Sequence, residues 1–156
     1  METRLVDAAL LPDEMEKIRA EGFAAVVIDI LRASTTIITA LANGAERVIP
    51  LTALEEARAR KEKEPDALLG GERNALPPPG FDLGNSPREY EPERVKGRTV
   101  ILTTTNGTRA CQAAVAAGAE VVVIGGFVNR RAVVEFCRSF PGAILLVCAG
   151  TRGRVS

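Results

Sequence analysis

Apolar runs alternate along the chain with charged and small-residue stretches, and their spacing gives the elements. Residues 24–30 are almost wholly apolar, the pattern of a strand buried on both faces, and the run stops at Asp29, Arg32 and the hydroxyls of Ser34, Thr35 and Thr36. A helix is expected from Ser34, with Ile37, Ile38, Leu41 and Ala42 on one face and Asn43-Gly44 as its stop. Strands are expected over 4–11, 47–51, 67–69, 99–102, 121–124 and 143–149. Helices are expected over 13–20, over 54–64 behind a capping box at Thr52 to Glu55, over 108–117, and from an Asn129 cap to about Phe140. Residues 70–87 form a long loop whose glycines and prolines deny it regular structure. This alternation predicts an α/β fold, a mainly parallel or mixed sheet with helices on both faces.

One internal echo runs through the pattern. Laying Asp29 on Thr103 also lays Asn43-Gly44-Ala45-Glu46 on Ala117-Gly118-Ala119-Glu120. The constant offset suggests an internal duplication of a strand, loop, helix, strand unit, with both polar turns at strand carboxyl ends, where open α/β sheets bind ligands.

Composition narrows the function. A chain of 156 residues with 46% hydrophobic content is expected to be a single domain over 1–156 with one substantial core. Twenty basic and twenty acidic residues cancel to +0, which removes the electrostatic case for nucleic acid or an anionic membrane as partner and favours a small molecule. No apolar run approaches the roughly 20 residues of a membrane span. With no histidine, the chain supplies no His-based triad, phosphohistidine or His-ligated zinc. Three cysteines without a disulfide spacing point to the cytoplasm. Base rates for small enzymes favour a homo-oligomer.

Four stretches carry chemistry. Asp29 suits a hard cation such as Mg2+, while Arg32 and the amides of a helix opening at Ser34 and Thr35 suit phosphate or sulfonate; capping of a turn is the structural alternative. In the Thr-rich turn 103–109, Asn106, Gly107, Thr108 and Arg109 could surround an anion with donors, or simply start a helix. In the long loop, Glu72 and Asp82 are further Mg2+ ligands or proton carriers and Arg73 an anion holder, with local turn bonding the alternative for Asp82 and Asn85. Finally, Cys148 and Arg154 have the spacing of cysteine-dependent phosphatases, although the glycines differ and no helix follows.

Taken together, residues 27–45, Gly71-Glu72-Arg73, residues 80–87, residues 103–109 and Cys148-Ala149-Gly150-Thr151 resemble the 2-phosphosulfolactate phosphatase family, Mg2+-dependent hydrolases of coenzyme M biosynthesis. The resemblance implies hydrolysis of (2R)-2-phospho-3-sulfolactate to 3-sulfolactate and phosphate. Within that site we expect Mg2+ on Asp29, with Glu72 or Asp82 assisting, and phosphate on Arg32, Ser34 and Thr35. The sulfonate and carboxylate would then fall to Arg73, Asn106, Thr108 and Arg109, with Asn85, Gly107, Cys148 and Thr151 also in substrate contact. Family members extend further, so 1–156 is expected to be the N-terminal portion of a longer chain. Water attack is the expected mechanism, with Asp29 or Cys148 as the alternative nucleophile. A non-catalytic module binding a phosphorylated or sulfonated metabolite is the rival reading, separated by metal dependence.

Overall fold

The computed structural model describes residues 5–155. Its strands are β1 (Val6–Ala9), β2 (Phe23–Ile28), β3 (Arg47–Leu51), β4 (Leu68–Gly71), β5 (Thr99–Thr103), β6 (Val121–Gly125) and β7 (Ala143–Cys148). Its α-helices are α1 (Ala33–Ala42), α2 (Leu54–Lys63), the single turn α3 (Pro92–Val95), α4 (Gly107–Ala116) and α5 (Arg130–Ser139). Residue 4, the expected start of the first strand, lies outside the described residues.

The strands divide between two sheets rather than filling one. Sheet A has the order β1-β7-β2-β6 and sheet B the order β3-β5-β4, and the paired strands in both run parallel. Strand β2 occupies the interior of sheet A, with Ala25 and Val27 facing the α4 side and Ala24 and Val26 facing α5. That two-sided burial is why its sequence is apolar at every position instead of alternating. In sheet B, Val100 and Leu102 pack toward α1 while Ile101 faces Ala57 of α2. Each such buried aliphatic side chain contributes roughly 1.5–3 kcal/mol through its removal from water.

Helices α1 and α4 touch strands of both sheets. They serve as the filling between the sheets, and their composition permits it, since Ala33, Ala40, Ala110 and Ala114 are buried and leave room for close approach. Ile124 of β6 packs against both the α4 core and the α1 core. Outside this filling, α5 covers sheet A and α2 covers sheet B. Both strand, loop, helix, strand units exist, β2-α1-β3 leading from sheet A to B and β5-α4-β6 leading back. A shared element order does not by itself make them a duplication.

Several local expectations change. No side chain caps α2: its N-cap is Ala53, and the Thr52 hydroxyl donates to Gln112 Oε1 instead (3.2 Å), so the capping box does not form. Asn129 accepts from the Gly126 amide (2.9 Å) and donates to the Ile124 carbonyl (2.9 Å), closing the short turn before α5 rather than capping α5 itself. The segment expected as unstructured loop contributes Gly70 and Gly71 to β4 and is tied down further on, where Tyr90, fully buried, donates its hydroxyl to the Gly84 carbonyl (2.7 Å). Among the described residues no helix is long and apolar enough to cross a membrane.

Candidate active site

A cleft of about 210 Å³ opens where the carboxyl ends of the two sheets meet. Asp29 and Arg32 reach it from the loop after β2, Glu72, Asn74 and Ala75 from the loop after β4, Thr104, Thr105 and Asn106 from the loop after β5, and Thr151 and Arg152 from the loop after β7. Leu31 and Asn85 complete the lining.

Asp29 stands at the junction of the two filling helices. Its carboxylate accepts from the Ala33 amide at the start of α1 (3.4 Å), and the nearby amides of Gly107, at the start of α4, and of Arg32 also favour its charged form. Two helix N-termini therefore converge on one carboxylate, which satisfies amides that would otherwise lack partners. Gly107 is required there, since a Cβ on it would lie 2.4 Å from Ala33 Cβ and 2.8 Å from Asp29 Oδ2. Burial pushes the Asp29 carboxyl above its ordinary value, the charge of Glu72 adds to that, and the three amides only partly offset it.

Glu72 behaves oppositely. Burial raises its carboxyl too, but Oε1 accepts from the Thr105 amide (2.7 Å) and Oε2 from the Ala75 amide (2.9 Å), and with Arg73 beside it these bonds win and hold it below its ordinary value. Its position depends on Gly71, which has a φ of 141° and lies so close to β5 that a Cβ would fall 1.9 Å from the Thr103 carbonyl oxygen, leaving no room for a side chain. Two carboxylates of unlike proton affinity thus share one cleft, an arrangement that enzymes use to divide roles between acids.

Asn85 supplies a third oxygen. It is buried, and among the described residues its Oδ1 has no hydrogen-bond partner, while its backbone carbonyl accepts from Thr36 Oγ1 (3.1 Å). A buried polar atom without a partner is costly unless something occupies the space before it.

Other expected residues are placed differently. The Asp82 carboxylate accepts from the Leu69 amide (2.8 Å) and lies 3.8 Å from Lys61 Nζ, fixing the loop to β4 away from the cleft. Among the described residues no three acidic or thiol side chains gather to hold a metal, so the set Asp29, Glu72, Asp82 is not assembled. Ser34 Oγ accepts from the Asp29 amide (2.9 Å) and donates to the Val27 carbonyl (3.4 Å), and Thr35 donates to the Ile30 carbonyl (2.8 Å), so both hydroxyl protons are already committed. The α1 amides assigned to phosphate are likewise taken, by Asp29.

In the Thr-rich turn, Thr108 is fully buried and donates to the Thr104 carbonyl (2.7 Å). Arg109 pairs with Asp13, and Arg73 donates to the Glu72 (2.7 Å) and Thr52 carbonyls and to Thr103 Oγ1 (3.3 Å). Both arginines line a neighbouring hollow behind Thr104 and Thr105, not the cleft. Cys148, in register with Ile28, continues the face that Ile144 and Leu146 present to α5, the opposite face from Asp29. The loop after it folds on itself through mutual backbone bonds between Thr151 and Arg154 (2.8 and 3.1 Å), so Cys148 and Arg154 do not form a phosphate-binding loop.

Leu31, Asn74, Ala75 and Arg152 line the cleft without being legible as site residues in the sequence. The one signal available is turn chemistry: Asn74 and Gly153 suit left-handed backbone, and the turns that carry Ala75 and Arg152 are built on them.

Comparison with known proteins adds the family. A family model described as 2-phosphosulpholactate phosphatase matches residues 9–156. The chain is 49% identical over 152 residues to a probable 2-phosphosulfolactate phosphatase of Thermotoga petrophila, covering 97% of this chain and 63% of that protein. It is 47% identical to the one of Thermotoga maritima with the same coverage, and 43% identical to one from Clostridium acetobutylicum, covering 97% and 64%. The chain therefore spans somewhat less than two thirds of the length of these relatives.

Proposed function

Because the chain belongs to the 2-phosphosulpholactate phosphatase family, we propose that the cleft binds 2-phospho-3-sulfolactate and that water cleaves its phosphate ester with the help of Mg2+. The observation that carries this reading is the pairing of Asp29 and Glu72 in one cleft beneath Arg32, whose guanidinium has no carboxylate partner among the described residues.

The donor set fits a hard cation. Mg2+ is commonly held by one or two carboxylates together with substrate phosphate, and the unpartnered Asn85 Oδ1 adds a neutral oxygen. Asp29 and Glu72 would hold the cation, whose charge would offset the burial and the Glu72 charge that raise the Asp29 carboxyl. When bound, Mg2+ supplies neutralisation of phosphoryl charge and a more acidic water. Asp29 is held in place by its three amides, and Glu72 by the amides of Thr105 and Ala75, so both carboxylates are fixed before substrate arrives. Arg32 contributes a planar fork suited to phosphate oxygens.

Water is favoured as the attacking group on the chain's own geometry. Alternation along β7 puts Cys148 on the face that Ile144 and Leu146 present to α5, and the Ser34 hydroxyl is committed to the Val27 carbonyl. The test is phosphate release from 2-phospho-3-sulfolactate by this polypeptide, with Mg2+, with EDTA, and after thiol alkylation. Release that needs Mg2+ and survives alkylation is expected. Release indifferent to EDTA but abolished by alkylation would overturn the metal reading, and tight binding without release would favour a binding module.

A further inference from the structure

Two backbone turns face each other across the cleft, one from each sheet. In the first, Arg73 and Leu76 exchange backbone hydrogen bonds (2.9 and 3.1 Å) around Asn74 at φ 53° and Ala75 at φ 65°. In the second, Thr151 and Arg154 do the same around Arg152 at φ 51° and Gly153 at φ 73°. Left-handed backbone at both central positions is what a two-residue turn of this kind needs, and Asn and Gly supply it readily. Ala75 and Arg152 adopt it against steric preference.

Each of these two residues is held by a cleft side chain. The Ala75 amide donates to Glu72 Oε2 (2.9 Å), and the Arg152 amide donates to Asn106 Oδ1 (3.1 Å). The Arg152 backbone is therefore pinned at the cleft, yet among the described residues its guanidinium makes a single long hydrogen-bond contact, 3.5 Å from Nη2 to Asn74 Oδ1, at the limit of a hydrogen bond. Its neighbours are committed elsewhere, Arg109 to Asp13 and Arg73 to two carbonyls and Thr103. Arg32 and Arg152 are the two arginines that line the cleft, entering it from different loops.

We propose that Arg152 is the residue that recognises a second anionic group, sulfonate or carboxylate, on a phosphate ester whose phosphoryl group lies at Arg32. The proposal rests on the phosphatase reading and moves the second anion from Arg73 and Arg109 to the turn after β7. A pinned backbone with a loosely tethered fork lets the guanidinium leave Asn74 for a tetrahedral or planar anion without disturbing the fold.

The experiment is calorimetric titration, in Mg2+ buffer, of inorganic phosphate and of 3-sulfolactate into the wild type, Arg152→Ala, Arg152→Lys and Asn74→Gly, with thermal melts of each. Glycine suits φ 53°, so Asn74→Gly removes the tether without adding strain. Arg152→Ala is expected to weaken 3-sulfolactate about tenfold or more while phosphate changes less than twofold. Arg152→Lys falls between, and Asn74→Gly, which leaves the guanidinium in place, keeps the wild-type preference for 3-sulfolactate over phosphate. If Arg152 only joins the two turns, Arg152→Ala and Asn74→Gly weaken both probes alike, which overturns the proposal. Unchanged 3-sulfolactate binding in Arg152→Ala, or phosphate binding without 3-sulfolactate binding in the wild type, also overturns it. A wild type that binds neither probe overturns the phosphatase reading together with the proposal.

Discussion

Replacing Gly107 by Ala adds one methyl group at the most crowded point of the site. That methyl would sit 2.4 Å from Ala33 Cβ and 2.8 Å from Asp29 Oδ2, well inside the 3.5–4.0 Å of a comfortable contact. The backbone φ of Gly107 is outside the left-handed region, so the cost is steric and not conformational. Overpacking of this kind costs about 1–3 kcal/mol. Separating α4 from α1 also moves the Gly107 amide away from the Asp29 carboxylate, whose charge it favours. Against this stands the better helix propensity of Ala, at most about 1 kcal/mol. A net loss near 2 kcal/mol is expected, which lowers the melting temperature of a chain this size by roughly 4–8 °C. Thermal and urea melts, with the urea slope unchanged, are the assay. A Gly107→Ala protein that melts at or above the wild type would refute the claim that two helix starts share Asp29 at contact distance.

Three further outcomes test the electrostatics. Glu72 has a folded carboxyl below its ordinary value, so its amide bonds contribute stability that is present above its unfolded value and lost as pH falls through the folded one. Glu72→Gln should flatten that acid limb in pH-dependent melts; an unaltered limb counts against the bonds to Thr105 and Ala75. Asp29 has the opposite sign, its folded carboxyl being raised, so stability is lost as pH rises through that value. Asp29→Asn should remove that loss of stability at rising pH while abolishing phosphate release, and an unchanged pH dependence would contradict the burial argument. Asp82→Ala removes the acceptor for the Leu69 amide and should cost about 1 kcal/mol of stability while leaving Mg2+ affinity unchanged; weakened Mg2+ binding would restore Asp82 as a ligand.

Much of the secondary structure follows from hydrophobic spacing. β3 coincides with the expected 47–51, and α1, α4 and β6 fall within a residue of expectation, because long periodic runs with glycine stops leave little freedom. The division into two sheets is not legible in the same way. A strand buried on both faces looks the same whichever sheet it joins, and the small residues of α1 and α4 show that a helix can be approached closely without showing by what.

Within the site, Asp29, Arg32, Glu72, Asn85, Asn106 and Thr151 are expected from the sequence, and they come together at the cleft. All but Asn85 follow closely on strand carboxyl ends, where position in the fold can be inferred from order along the chain. Asp82 and Arg73 look identical in sequence to cleft residues, and only their partners, the Leu69 amide and the Thr52 carbonyl, reveal that they brace the scaffold. Arg152 carries no such signal, because its reach depends on a turn whose direction no local pattern encodes.

The division of strands also dictates an order of assembly. All of sheet B lies within residues 47–103, between the two halves of sheet A, which are residues 6–28 and 121–148. Among the described residues, strand β1 pairs only with β7, and β2 only with β6 and β7. As the polypeptide leaves the ribosome, sheet B can close while β1 and β2 still have no hydrogen-bonding partner. The strand that is apolar at every position thus waits uncovered until β6 and β7 have been made. During that interval β2 is an open edge exposed to other nascent chains, so the yield of folded protein should be more sensitive to translation speed and chaperone supply than its final stability would suggest.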